Sequence, residues 1–104
     1  MSVEALLATG EKLALLNATG PSSDVSVSSG STANVDLTIS RGPVSKILEH
    51  LAVKELSGLP AGVVPAGFSY PNSTTLRIVA YNPTGAAVTV TSGAVSAKVL
   101  VKAL

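Results

Sequence analysis

The sequence predicts a mainly β chain, a single antiparallel β-sandwich of jelly-roll or Ig-like kind with an N-terminal segment before it. Three observations carry this. Fourteen Val and twenty-three Ser plus Thr stand among 104 residues, and Val and Thr are stiff at χ1 and suit a pleated surface better than a helix. Apolar residues alternate with polar ones over two long stretches, 24–40 and 75–102, the period of a half-buried strand. Gly- and Ser-rich punctuation at short intervals suits many short strands joined by tight turns.

Taken in order, residues 1–20 form a segment of their own. Val3, Leu6 and Leu7 fit one side of a short helix capped by Ser2, Lys12–Asn17 fits a strand, and Gly20-Pro21-Ser22-Ser23 marks a boundary. Two readings stand level here: an arm that packs on a neighbour, or the first strand of the same core. Residues 21–104 are the sandwich domain. Within it Val25 and Val27 alternate with serines, and Val35, Leu37 and Ile39 alternate with Asn34, Asp36 and Thr38. A loop around Gly30-Ser31-Thr32 turns the two runs into a hairpin with Val27 opposite Val35 and Val25 opposite Leu37.

Periodicity predicts a short helix near 44–56, because Val44, Ile47, Leu48, Leu51 and Glu55 make a stripe with Pro43 in the first turn and Gly58 beyond the end. Ile47, Leu51 and Val53 also fit one face of a strand. Residues 57–72 carry Pro60, Pro65 and Pro71 with three glycines, which reads as a connection holding one short extended piece at Val63-Val64. The C-terminal stretch predicts a three-stranded meander. Asn82-Pro83-Thr84-Gly85 suits a type I turn with a bulge, pairing Ala80 with Val88 and Ile78 with Val90. Ser92-Gly93 then pairs Val90 with Val95 and Val88 with Ala97, and Val99 and Val101 extend the same apolar face.

The composition narrows the function classes. A disordered chain carries few apolar residues and a large net charge, whereas this one is 46% hydrophobic with a net charge of +1. It has no Cys, so disulfide scaffolds and thiolate metal sites are excluded. No apolar run approaches the roughly 18 residues of a membrane-spanning helix. Met1–Leu7 lacks a basic n-region, and the apolar stretch between Glu4 and Glu11 is too short for an h-region, so no secretion signal is expected. Only 12% of residues are charged, against about 25–35% for a surface built for solubility. That deficit predicts a surface covered in part by a partner or by copies of the same chain.

No arrangement announces catalysis. His50 is the one histidine and lacks an orienting carboxylate at a spacing that would aim it. The six carboxylates have no calcium-loop spacing, and no nucleophile elbow or phosphate loop occurs. The seven Lys and Arg are spread from Lys12 to Lys102 rather than clustered for nucleic acid. The chain is therefore read as no enzyme, with no catalytic, cofactor or metal residues and with no nucleic acid, membrane or small-molecule partner. Leu6, Leu7, Phe68, Tyr70 and Tyr81 are the interface candidates, since large apolar groups on a surface mark contacts.

The stretch Leu76-Arg77-Ile78-Val79-Ala80-Tyr81-Asn82-Pro83-Thr84-Gly85-Ala86-Ala87-Val88-Thr89-Val90, the alternating strands of 24–40 and 75–102 and the separate N-terminal segment resemble small tailed-phage virion proteins, capsid decoration (cement) proteins above all. The resemblance implies a non-enzymatic structural protein of the virion, made in the host cytoplasm. Such copies sit on the capsid, often as trimers, and clamp neighbouring subunits of the major capsid protein. It carries over no functional residue. The alternatives are another virion component of tail or fibre, or an Ig-like or carbohydrate-binding module using Phe68 and Tyr70 as a platform.

Overall fold

A computed structural model describes residues 10–104. Eight strands follow one another: β1 (Lys12–Gly20), β2 (Val25–Val27), β3 (Thr32–Ile39), β4 (Ile47–Ser57), β5 (Val64–Asn72), β6 (Thr75–Tyr81), β7 (Val88–Val90) and β8 (Val95–Ala103). They form a six-stranded sheet in the order β4-β8-β1-β3-β6-β5 and a two-stranded sheet of β2 and β7. Every pairing is antiparallel. The molecule is thus mainly β, with the larger sheet nearly barrel-like.

One face of β1, β3, β6 and β8 is hidden. Leu16 and Ala18 of β1, Val35, Leu37 and Ile39 of β3, Leu76, Ile78 and Ala80 of β6, and Val95, Ala97, Val99, Val101 and Ala103 of β8 line one core with Val27 and Val90 of the small sheet. Alternation thus identifies the buried face of the runs within 24–40 and 75–102. The neighbours it suggested are corrected. β7 pairs with β2, Val25 opposite Val90 and Val27 opposite Val88, and the expected hairpins β2–β3, β6–β7 and β7–β8 are absent.

The turns themselves form, closed by Ser31 N–H to Ser28 C=O at 3.1 Å and Ala94 N–H to Thr91 C=O at 3.1 Å. What redirects the flanking strands is side-chain tethering across the molecule. Asn82 is fully buried and its amide donates to Val27 C=O at 2.9 Å and to Ala86 C=O at 2.8 Å. Its Oδ1 accepts from Thr84 N–H at 2.9 Å. The chain leaving β6 is therefore pulled across to β2 rather than reversed along β6. The turn after β7 is held likewise: Ser92 N–H donates to Asp24 Oδ1 at 2.7 Å and Gly93 N–H to Pro21 C=O at 2.8 Å. That anchoring starts β8 beside the end of β1, where Gly20 faces Val95.

The helix expected over 44–56 is absent, because the segment is edge strand β4, paired with β8. Register shifts between Ile47 and Glu49, His50 and Ala52, and Lys54 and Ser57 each insert one extra residue. These bulges spread the apolar residues at intervals of three and four, which imitates a helical stripe. The expected connection 57–72 is corrected too, for it contains β5 along its second half. Pro65 and Pro71 are tolerated there because β5 pairs on one side only, with β6. Both edges of the large sheet are thus blunted against further pairing, one by bulges and the other by prolines and two register shifts.

The two edges approach each other through side chains. The His50 ring of β4 stacks on Tyr70 of β5 with centroids 4.0 Å apart and planes 8° from parallel. His50 Nε2 lies 2.9 Å from Ser73 C=O, so that nitrogen carries the proton and donates. Burial raises the Tyr70 phenol above its usual pKa.

On the outward face of β3 and β6, Asp36 and Arg77 are opposite each other and form a fork with bonds of 2.9 and 3.1 Å. The Arg77 hydrogen bonds hold the Asp36 carboxyl below its ordinary pKa of 3.8, against a smaller opposing effect of burial. A carboxylate lowered on folding stabilises the fold above its unfolded pKa, and that stability is lost as pH falls through the folded value. The expected result is a stability loss below about pH 4 that is shallower in Asp36→Asn, measured by urea denaturation at pH 7, 4 and 2.5. Both side chains are more than a third exposed, so the difference should stay under about 1 kcal/mol. Equal pH slopes for the two proteins would refute it.

Candidate docking face

β1 is apolar on both sides, an uncommon pattern for a strand of an antiparallel sheet, which normally turns one polar face to water. Leu16 and Ala18 point into the core, while Leu13 and Leu15 point out, opposite Lys102 and Leu100 of β8. The register of β4 continues these rows, with Glu49 beside Lys102, Ala52 beside Leu100, Lys54 beside Lys98 and Ser57 beside Ser96. The outward face of β4, β8 and β1 therefore carries an apolar row of Leu15, Leu100 and Ala52, with Leu13 next to it in the row of Lys102 and Glu49 and with Lys98 and Lys54 in the row on the other side. Leu15 is 51% exposed and Leu13 39%. Leu48 and Leu51, the extra residues of two β4 bulges, and the C-terminal Leu104 add exposed apolar surface.

Lys102 and Lys98 beside the band are paired locally. Lys102 Nζ lies 3.6 Å from Glu49 and 3.9 Å from Glu11, and Lys98 Nζ lies 3.2 Å from Glu55. Glu55 reaches Lys98 from a left-handed backbone, φ 49°, at the third bulge of β4. Beside this pair an open cleft of about 540 Å3 is lined by Asn17, Thr19, Ser57, Ser96 and Lys98 among others, with Ser57 Oγ and Ser96 Oγ hydrogen-bonded at 3.1 Å. An apolar strip framed by charges and hydroxyls has the makeup of a protein contact, dry at its centre and polar at its rim.

The candidates read from the sequence are scattered. Leu6 and Leu7 lie outside the described residues. Phe68 is 46% exposed on β5, opposite Ile78, and Tyr81 is half-buried on β6, opposite Thr32 and Val64. Tyr70 has one ring face covered by His50, so Phe68 and Tyr70 do not present two free faces as a platform. The residues missed are Leu13, Leu15, Leu48, Leu51 and Leu100. The unbroken run Leu13-Ala14-Leu15-Leu16 was the available signal, for a strand apolar at consecutive positions has no face left to give to water.

Among the described residues no three of His, Cys, Asp and Glu are grouped to hold a metal ion, and no helix is long and apolar enough to cross a membrane. No protein-family model, curated protein or solved structure matches the chain.

Proposed function

We propose that this chain is a non-enzymatic structural protein that docks on a protein lattice, in the manner of the capsid decoration proteins its strands resemble. The observation that carries the proposal is the leucine band on the outward face of β4, β8 and β1. Large contiguous apolar patches are rare on monomeric proteins and mark contact surfaces. In this reading the small β2–β7 sheet is the minor layer of an unequal antiparallel sandwich, and it leaves the leucine face of the larger sheet free to dock. The mechanism is linkage: a subunit that binds the assembled lattice and not its free parts stabilises the assembly by mass action.

The test is cosedimentation of the purified chain with tailed-phage heads lacking their decoration protein. The chain should pellet with the heads, and Leu100→Glu with Leu15→Glu should reduce the pelleted fraction about tenfold, the effect of losing roughly 1.4 kcal/mol of contact. Thermal unfolding of the double variant checks that the fold is kept. A wild-type chain that stays in the supernatant, or a double variant that pellets as well as wild type, refutes the docking reading. Binding to a glycan array in place of heads would assign the chain to the carbohydrate-binding alternative.

A further inference from the structure

The outward face of β4, β8 and β1 changes character along the strands. Next to the apolar row of Leu15, Leu100 and Ala52 lies a row of Asn17, Lys98 and Lys54, and beyond it a row of hydroxyls, Thr19, Ser96 and Ser57. The middle row sets two lysines directly opposite each other, an arrangement that costs a sheet stability. One carboxylate answers them. Glu55 lies 3.2 Å from Lys98 Nζ, and among the described residues Lys54 is in no ion pair. On the other flank of the leucines the balance is reversed, for Lys102 has two carboxylates within 4 Å, Glu49 at 3.6 Å and Glu11 at 3.9 Å. Lys54 is exposed on the edge strand β4. Its charge works against the fold of the free chain, yet it stands one row from the apolar contact.

We propose that Lys54 receives a carboxylate of the docked protein, so that the face selects a partner segment carrying an acidic side chain beside an apolar one. The inference rests on the reading of the leucine face as a contact surface, and it names the partner's chemistry. Leu15 and Leu100 take the partner's apolar side chain. The neighbouring row meets the partner with two ammonium groups and the Asn17 amide, all of which donate to a carboxylate. Successive residues on one face of a strand are about 6.5 Å apart, which sets the spacing between the apolar anchor and the acid. Docking removes water from the row, and a carboxylate placed there is held more strongly than in water while it relieves the repulsion between Lys54 and Lys98. A nucleic-acid phosphate would meet the same ammonium groups but brings nothing apolar to the leucines. The uneven charge of the two flanks also fixes which way along the strands the partner segment lies.

The test is cosedimentation of the full chain with tailed-phage heads lacking their decoration protein, at about 0.1 M and about 1 M salt, between which the screening length falls from about 10 Å to about 3 Å. Wild type should bind several-fold more weakly at the higher salt. Lys54→Glu should weaken binding at least tenfold at the lower salt and bind better at the higher, because reversal turns an attraction into a repulsion that salt screens. Lys54→Arg should bind as wild type does. So should Lys46→Glu, which makes the same change in net charge before the start of β4. In the isolated chain Lys54→Glu should unfold at the wild-type temperature or above it, since it sets a carboxylate opposite Lys98; a lysine kept for the fold would move the other way. The proposal is overturned by a Lys54→Glu chain that pellets as well as wild type, by an equal loss in Lys46→Glu, or by wild-type binding indifferent to salt. Each of these leaves docking through Leu15 and Leu100 standing, whereas a wild-type chain that stays in the supernatant removes docking and this proposal together. Capture of wild type by duplex DNA, lost in Lys54→Glu, would assign the lysine to phosphate and overturns it as well.

Discussion

Asn82→Leu should lose about 3–5 kcal/mol of unfolding free energy, a large part of the ~5–15 kcal/mol available to a domain. The side chain is fully buried and makes four hydrogen bonds: to Val27 C=O, to Ala86 C=O, and from Thr84 through both its N–H and its hydroxyl, the last at 2.6 Å. Leucine has nearly the same shape and removes all four. In the variant the single Thr84 hydroxyl proton can turn from Asn82 to Ala86 C=O, 2.9 Å away, but Val27 C=O loses the side-chain donor that links β2 to the loop after β6. A buried polar group left without a partner costs about 1–3 kcal/mol, more than the net worth of the bond it lost. Asn82→Asp should be at least as damaging at pH 7, since it points a carboxylate oxygen at the two carbonyls that now receive N–H groups. Urea denaturation with unchanged m-value measures both effects. A loss below about 1 kcal/mol for either variant would show that water takes over the role of the amide.

Gly58→Ala should be the most damaging single methyl addition available at a turn. Gly58 lies just after β4 with φ near +90°, and a Cβ built there falls inside the contact distance of the Ala94 carbonyl oxygen at the start of β8. That atom belongs to the backbone, so it cannot swing away as a side chain would. Relief requires the end of β4 to part from β8, breaking the pairing that places Ser57 beside Ser96. Gly30→Ala is the control: φ is +70° and nothing lies within 4 Å of its added Cβ. It should show the conformational cost alone, about 1–2 kcal/mol. The expected loss for Gly58→Ala is ~4 kcal/mol or more, or failure to fold. Similar unfolding midpoints for the two variants would mean that β4 is free to shift on β8.

Alternation along the chain was enough to say which side chains are hidden. Val27, Val35, Leu37, Leu76, Ile78, Val90, Val95, Val99 and Val101 are all buried, because a strand's side chains change face at every residue whatever its neighbour is. Pairing partners were not legible. A hairpin and a crossing between sheets need the same turn residues and the same alternation. The choice falls to contacts far apart in sequence, Asn82 with Val27 and Ser92 with Asp24. The proposed docking face was only half legible for a similar reason. Leu13 to Leu16 show that β1 is apolar on both sides, but Leu100 and Ala52 join them only through the register of β8 with its two neighbours.

The sequence by itself therefore determined the strand class, the buried face of most runs and a surface poor in charge, since these follow from local sterics, period and composition. Only the tertiary structure decided that residues 47–57 pair as a bulged edge strand, that β2 and β7 leave the main sheet, and that Leu13, Leu15 and Leu100 share one outward face. Each of those depends on hydrogen bonds and clashes between residues tens of positions apart, where the energy of closure is set by the partner and not by the local chain.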